Sequence, residues 1–166
     1  MMIQIRRAEY NDLKSIAAIQ TLSWKSAFSD ILSDSTLNKY TDLEKCVKIL
    51  ENAYNAGNGY LYIGNINEKP CAELFWCRGM ELERSAEIVA LHSIPESWGC
   101  GVGKAMMDKA MDDIFNNGLK TVYLWVFEQN KRARRFYEKY GFVPDGTSRI
   151  SIYDKAVEVR YIADKN

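Results

Sequence analysis

The chain has 166 residues, 47% of them hydrophobic and 27% charged, with 22 Lys plus Arg against 22 Asp plus Glu. That length suits a single domain over residues 1–166 with a real buried core, and the composition excludes a disordered chain. Zero net charge removes the electrostatic case for nucleic-acid binding, which needs a strongly basic face, although a local basic patch for a phosphorylated ligand stays open.

Cys46, Cys71, Cys77 and Cys100 form no CxxC pair and His92 is the sole histidine, so no zinc site or other metal centre is expected. The opening MMIQIRRAEYND carries charges where a signal peptide needs an apolar run. No stretch nears the ~18 apolar residues of a membrane span. A reduced, cytoplasmic protein with no membrane partner is the expectation.

In chain order, residues 2–6 alternate as a short strand. Asp12 can cap a helix that carries Leu13, Ile16 and Ile19 on one face. A polar break, SDSTLNKYTDLEK, leads to a second helical region over residues 46–54, and Gly57, Asn58 and Gly59 make a turn. Residues 60–66 and 71–77 read as an antiparallel hairpin, and residues 87–94, apolar on both sides, as a central strand. Residues 104–117 are an amphipathic helix with Met107, Ala110, Met111 and Ile114 inward, closed by Gly118. Residues 121–127 (TVYLWVF) are a buried strand, and 131–140 a helix capped by Asn130. Residues 148–153 and 156–162 alternate about Asp154-Lys155 as a hairpin would. The pattern is an α/β protein with a partly antiparallel sheet.

The chemical centre is Trp98-Gly99-Cys100-Gly101-Val102-Gly103-Lys104, between a strand and a helix. Alternate glycines let the backbone approach a ligand and turn N–H groups toward it, and the helix start favours a phosphate. A diphosphate cradle is the chemical reading; the spacing alone also fits a tight turn with no ligand. A P-loop fails, because Trp98 and Ala105 stand where it needs glycine and a hydroxyl. A dinucleotide fingerprint fails at Lys104.

Residues 94–104, IPESWGCGVGK, resemble the pyrophosphate loop of the GNAT superfamily of N-acetyltransferases, Gln/Arg-x-x-Gly-x-Gly/Ala. Gly101 and Gly103 match its small positions, whereas Trp98 departs from Gln or Arg. Residues 130–142, NKRARRFYEKYGF, are similar to the family's later helix with its Tyr-Glu-x-x-Gly-Phe run, and Trp24-Lys25-Ser26-Ala27-Phe28 resembles its first-helix region. The resemblance covers nearly the whole chain. It implies a mixed, largely antiparallel central sheet flanked by helices and splayed between its fourth and fifth strands, with acetyl-coenzyme A in the cleft as cosubstrate.

Direct acetyl transfer to an amine needs a neutral amine, donors for the oxyanion and an acid for the departing thiolate. The resemblance makes Tyr137 the acid and places Asn130 against the cofactor's pantetheine arm. It sets Leu91, His92 and Ser93 along that arm, and residues Trp98, Gly99, Cys100, Gly101, Val102, Gly103 and Lys104 at the diphosphate. Helical spacing beside Ala133, Phe136 and Tyr140 equally makes Tyr137 a core residue. Glu87 corresponds to the catalytic glutamate of the histone-modifying branch, but it also reads as a solvated strand-end carboxylate. His92 is the other candidate base, or a structural histidine; strand alternation puts it on the opposite side from Glu87. Deprotonation through water remains open. Lys104, Arg132, Arg134 and Arg135 could add charge near phosphates, or form solvated helix faces.

In the family the acceptor wall comes from the first two helices and their connection, where Trp24, Phe28, Asp30, Asp34, Tyr40 and Asp42 lie. Trp24 and Phe28 are the substrate-binding candidates, and aromatics with carboxylates suit a cationic amine such as a polyamine, amino sugar or amino-acid-like molecule. The same residues serve equally as core anchors and caps. The expected partner is a small-molecule amine; alternatives are a catalytically silent acyl-coenzyme A binder and a protein N-terminal or lysine acetyltransferase. Dimers are frequent in the family, so the resemblance also allows a homodimer.

Overall fold

The computed structural model describes residues 1–166. Strand β1 (Ile3–Arg7) runs antiparallel to β2 (Tyr60–Ile66), which pairs with β3 (Lys69–Arg78), and β3 with β4 (Ser85–Ser93). β4 lies parallel to β5 (Thr121–Phe127), and β7 (Val157–Asp164) and β6 (Val143–Ile150) complete the order β1-β2-β3-β4-β5-β7-β6. Three helices, α1 (Leu13–Ala27), α2 (Asp34–Tyr40) and α3 (Leu43–Ala56), precede β2. The parallel pair needs a crossover, which α4 (Val102–Asn116) provides, and α5 (Lys131–Tyr140) follows β5. This is the expected mixed, largely antiparallel sheet flanked by helices.

Alternation along the strands sorts the apolar side chains onto two faces. Leu61 and Ile63 meet Leu13 and Ile16 of α1 on one face. Tyr62, Leu74, Trp76 and Ile88 meet Met106, Met107, Ala110 and Ile114 of α4, with Tyr137 of α5, in the main core on the other. A third cluster joins Phe28, Leu32, Leu37 and Phe127, with Trp24 and Tyr153 against it, where α1, α2 and the end of β5 converge. No helix is long and apolar enough to cross a membrane.

Several sequence expectations need correction. The polar break contains a helix, α2, with Leu37 alone buried, so no apolar period betrays it. It is held by its ends: Ser33 Oγ accepts from Thr36 N at 3.2 Å, while Asp154 accepts from Ser33 N at 2.7 Å and Thr36 Oγ1 at 2.5 Å. α3 starts earlier than residue 46 because Asp42 caps it, its carboxylate accepting from Lys45 N at 2.9 Å. Asp12 stands at the start of α1, but its carboxylate is taken by Arg6 at 2.6 Å and by Glu9 N at 2.8 Å. The last hairpin is offset. β6 begins at Val143, where Pro144 and Gly146 suggest a turn, because a register shift between Pro144 and Ser148 absorbs them. It ends at Ile150, and the reversal uses Asp154 and Lys155 at φ +52° and +56°.

Replacing Ser33 with Ala removes the side-chain cap of α2, which should cost about 1 kcal/mol. A thermal melt should show a fall of ~2–4 °C for a chain of this size.

Candidate active site

β4 and β5 are paired only from Ser85 to Ile88 against Thr121 to Leu124. Beyond Ile88, β4 stays with β3 as far as Ser93, while β5 follows β7. The strands therefore part, as the sequence resemblance implied, and a cleft of about 270 Å³ opens between them. Its walls are Trp24 of α1 and Phe28 just after it, residues 87–93 of β4, Trp125 and Phe127 of β5, Asn130, Arg132 and Tyr137 around α5, and Arg149, Tyr153 and Glu158 from the last hairpin.

A bulge in β4 overturns the expectation that Glu87 and His92 face opposite ways. Phe75 pairs with Ala90 and Trp76 with Ile88, so Val89 is an extra residue opposite that step. One extra residue offsets the alternation. Ile88 and Leu91, three apart, then both join the main core, and Glu87 and His92 both line the cleft.

The loop before α4 has its glycines for backbone reasons. Gly99 and Gly101 adopt φ +77° and +88°, and a Cβ at Gly99 would meet nothing within 4 Å. Gly101 occupies the N-cap of α4 with no side chain to cap it, leaving the first N–H groups of a 15-residue helix without an intrahelical partner. Gly103 differs, since a Cβ there would lie 3.4 Å from the Phe136 ring of α5. The cradle thus fits an anionic diphosphate. Lys104 does not turn toward it; Nζ pairs with Asp108 at 2.7 Å on the exposed face of α4. Cys100 is half-buried within the turn. Trp98 donates from Nε1 to the Ser93 carbonyl at 3.0 Å, and the Arg132 guanidinium stacks 3.6 Å above its ring. A cation comes to this corner from α5, where the family pattern places a polar residue in the loop itself. Burial lowers the Arg132 pKa without discharging it.

On α5, Asn130 caps the helix, accepting from Ala133 N at 3.2 Å, and Tyr137 sits two turns on with 8% of its surface exposed. Tyr137 packs in the main core and lines the cleft as well. Burial pushes its hydroxyl up to about 12 against the opposing pull of Arg132, so it is a neutral phenol. Glu87 is raised by burial and then by Glu81, with Arg149 acting the other way; it accepts a long 3.4 Å bond from Tyr123 and forms no ion pair. Glu158 is already held by Arg149 at 2.7 Å. Phe28 is an anchor of the third cluster, and Trp24 meets Phe28 and Tyr153 edge-on, each at 5.1 Å. Asp34 and Asp42 belong to helix starts rather than to this wall.

Sequence reasoning passed over Glu73. It is a lone acid in the apolar run CAELFWC of β3, paired across the ladder with His92, and only 2% exposed. Its Oε1 has no hydrogen-bond partner and lies 3.8 Å from His92 Nε2. The same nitrogen accepts a long 3.4 Å bond from Trp24 Nε1. Burial pushes Glu73 up to about 8 and His92 down to about 4, so both are neutral near pH 7. A charged residue inside an apolar strand was the available signal.

The chain belongs to the acetyltransferase (GNAT) family, whose model matches residues 17–142. An uncharacterized N-acetyltransferase of Archaeoglobus fulgidus is 27% identical over 139 residues, covering 81% of this chain and 89% of its own. The structure of PaiA N-acetyltransferase from Thermoplasma acidophilum in complex with coenzyme A superposes at a TM-score of 0.81, over 99% of this chain and 100% of that one, at 19% identity. That of yncA from Salmonella typhimurium, solved with its cofactor acetyl-coenzyme A, superposes at 0.75, over 100% and 95%, at 13% identity. The protein is an acetyltransferase with acetyl-coenzyme A as cosubstrate.

The neutral Glu73 has a consequence for stability. The folded chain holds this proton to about pH 8, whereas the group's ordinary value is 4.5. The stability it brings is complete below the unfolded value and is lost as pH rises toward the folded one. Glu73→Gln stays neutral throughout, so the difference in melting temperature should move in favour of the variant, by several degrees, between about pH 5 and pH 8.

Proposed function

We propose that this chain transfers the acetyl group of acetyl-coenzyme A directly to a primary amine of a small molecule. The observation that carries this reading is the parting of β4 and β5 into a cleft that holds Tyr137, Glu87 and His92 and adjoins an uncapped helix start at Gly101. The backbone of Trp98, Gly99, Cys100, Gly101, Val102, Gly103 and Lys104 would hold the diphosphate, with Arg132 supplying the nearby charge. Leu91, His92 and Ser93, whose β5-facing edge is free of a strand partner, would receive the pantetheine arm, together with Asn130.

Acetyl-coenzyme A supplies an activated thioester; the side chains supply the rest. The acceptor is an ammonium near neutral pH and must lose a proton before it can attack. Glu87, unpaired in the cleft, attracts the ammonium and is one group able to receive that proton; His92 is the other. Tyr137 faces a thiolate whose conjugate acid titrates near ~8.5. Full transfer from a phenol at about 12 is uphill. Its main contribution is therefore a hydrogen bond to the sulfur as charge develops, with the amine proton closing the balance.

The size of the cleft, about 270 Å³, its aromatic walls and Glu87, the one lining carboxylate without an ion pair, support a small cationic acceptor over a polypeptide. A catalytically silent protein on this fold would keep acetyl-coenzyme A binding without releasing thiol.

Saturating acetyl-coenzyme A, at about 100 times its dissociation constant, should stabilise the fold by ~2.7 kcal/mol in a thermal melt, with ATP and NAD inert. Amines are then screened by thiol release. Against an active amine, Tyr137→Phe should lower kcat about 100-fold with little change in the melt response. Unchanged turnover across the pH range removes Tyr137 from the chemistry.

A further inference from the structure

Glu73 and His92 form a buried pair that the family motifs do not include. They face each other across the β3–β4 ladder, roofed by α1, with Glu73 Oε1 3.8 Å from His92 Nε2 and otherwise unpartnered. Trp24 Nε1 approaches the same nitrogen at 3.4 Å. Both contacts fall on one edge of the imidazole. The other nitrogen, Nδ1, has no partner within the chain, and 14% of the side chain is open to the cleft.

The geometry points to Glu73 as a positioning residue that decides, through Nε2, which nitrogen of His92 carries the proton, and hence whether Nδ1 can take one from the acceptor amine. This rests on the acetyl-transfer reading of the cleft. When Glu73 is a neutral carboxylic acid, the Nε2 lone pair accepts from Trp24 Nε1, the proton of the neutral ring sits on Nδ1, and His92 has no lone pair to offer the cleft. When Glu73 is a carboxylate, its charge 3.8 Å from Nε2 draws the ring proton to that nitrogen, and the Nδ1 lone pair is free for the acceptor. Nδ1 then takes a proton from the ammonium: the N–H bond breaks, its electron pair stays on the amine nitrogen for attack on the thioester carbon, and the carboxylate stabilises the imidazolium. The imidazolium returns its proton to water at the cleft mouth.

Burial alone raises Glu73, to about 8, which places the change of state in the weakly alkaline range. The other titratable groups around the cleft are Glu87 on β4, Arg132 and Tyr137 from α5, and Arg149, Tyr153 and Glu158 from the last hairpin. Burial is likewise the sole cause of the His92 shift, and α1 contributes the neutral Trp24.

His92 is the sole histidine, so its two ring nitrogens can be followed without assignment by long-range ¹H–¹⁵N correlation on the tag-free, labelled chain. From about pH 6 to about pH 10 the ring should remain neutral and cross from the Nδ1–H to the Nε2–H form near pH 8. Glu73→Gln should abolish the crossing, and Trp24→Phe should keep it. A single tautomer in the wild-type chain across the range, or a crossing that survives in Glu73→Gln, overturns the proposal. The wild-type titration decides even if the variant does not fold. A wild-type chain that showed the crossing but no melt response to acetyl-coenzyme A would refute the proposed function while upholding the pair.

Discussion

The hydrogen-bonded ladder between β4 and β5 stops after Ile88 and Leu124, and nearly every functional feature of the molecule depends on that stop. A parallel pair carried further would close the sheet and leave no room between α1 and α5. Because β4 remains tied to β3, and β5 to β7, the two halves of the sheet stay hydrogen-bonded while their shared border opens. The backbone edge exposed on β4 is a row of strand donors and acceptors with no strand to receive them. In a soluble fold such an edge is covered, solvated or used. Here it faces a cleft whose far wall carries Tyr137.

The extra residue at Val89 acts on the same border at a finer scale. It keeps Ile88 and Leu91 in the core while turning Glu87 and His92 to one side. Two candidate proton acceptors thus share a wall without breaking the apolar layer behind them. They differ in setting. Glu87 sits toward the polar mouth near Glu81 and Arg149, and His92 lies deeper, with Glu73 behind it. One strand therefore presents two environments of different polarity to a single ligand.

Much of this was legible in the sequence. Three glycines before an amphipathic helix announced the cradle, and the run ending in Tyr137-Glu138 placed the opposite wall through a family likeness. The helix α2 was not legible, since a seven-residue helix with one buried side chain has no periodicity; it depends on Asp154, more than a hundred residues away. Strand alternation misplaced His92 because a bulge leaves no mark in an apolar run such as AEIVALHSI. Glu73 was visible as a charge in the wrong place, but its neighbour was not, because only the β3–β4 register brings the two together.

The stacking of Arg132 on Trp98 ties two segments that are distant in the chain into one physical unit. An indole in the loop is useful beside a cation when the cation arrives from α5, and a guanidinium on α5 is held in place when a flat ring lies beneath it. Loss of either leaves the other poorly supported: a bare ring in the loop, or a cation without its platform above a turn. In descent, positions 98 and 132 are therefore expected to change together.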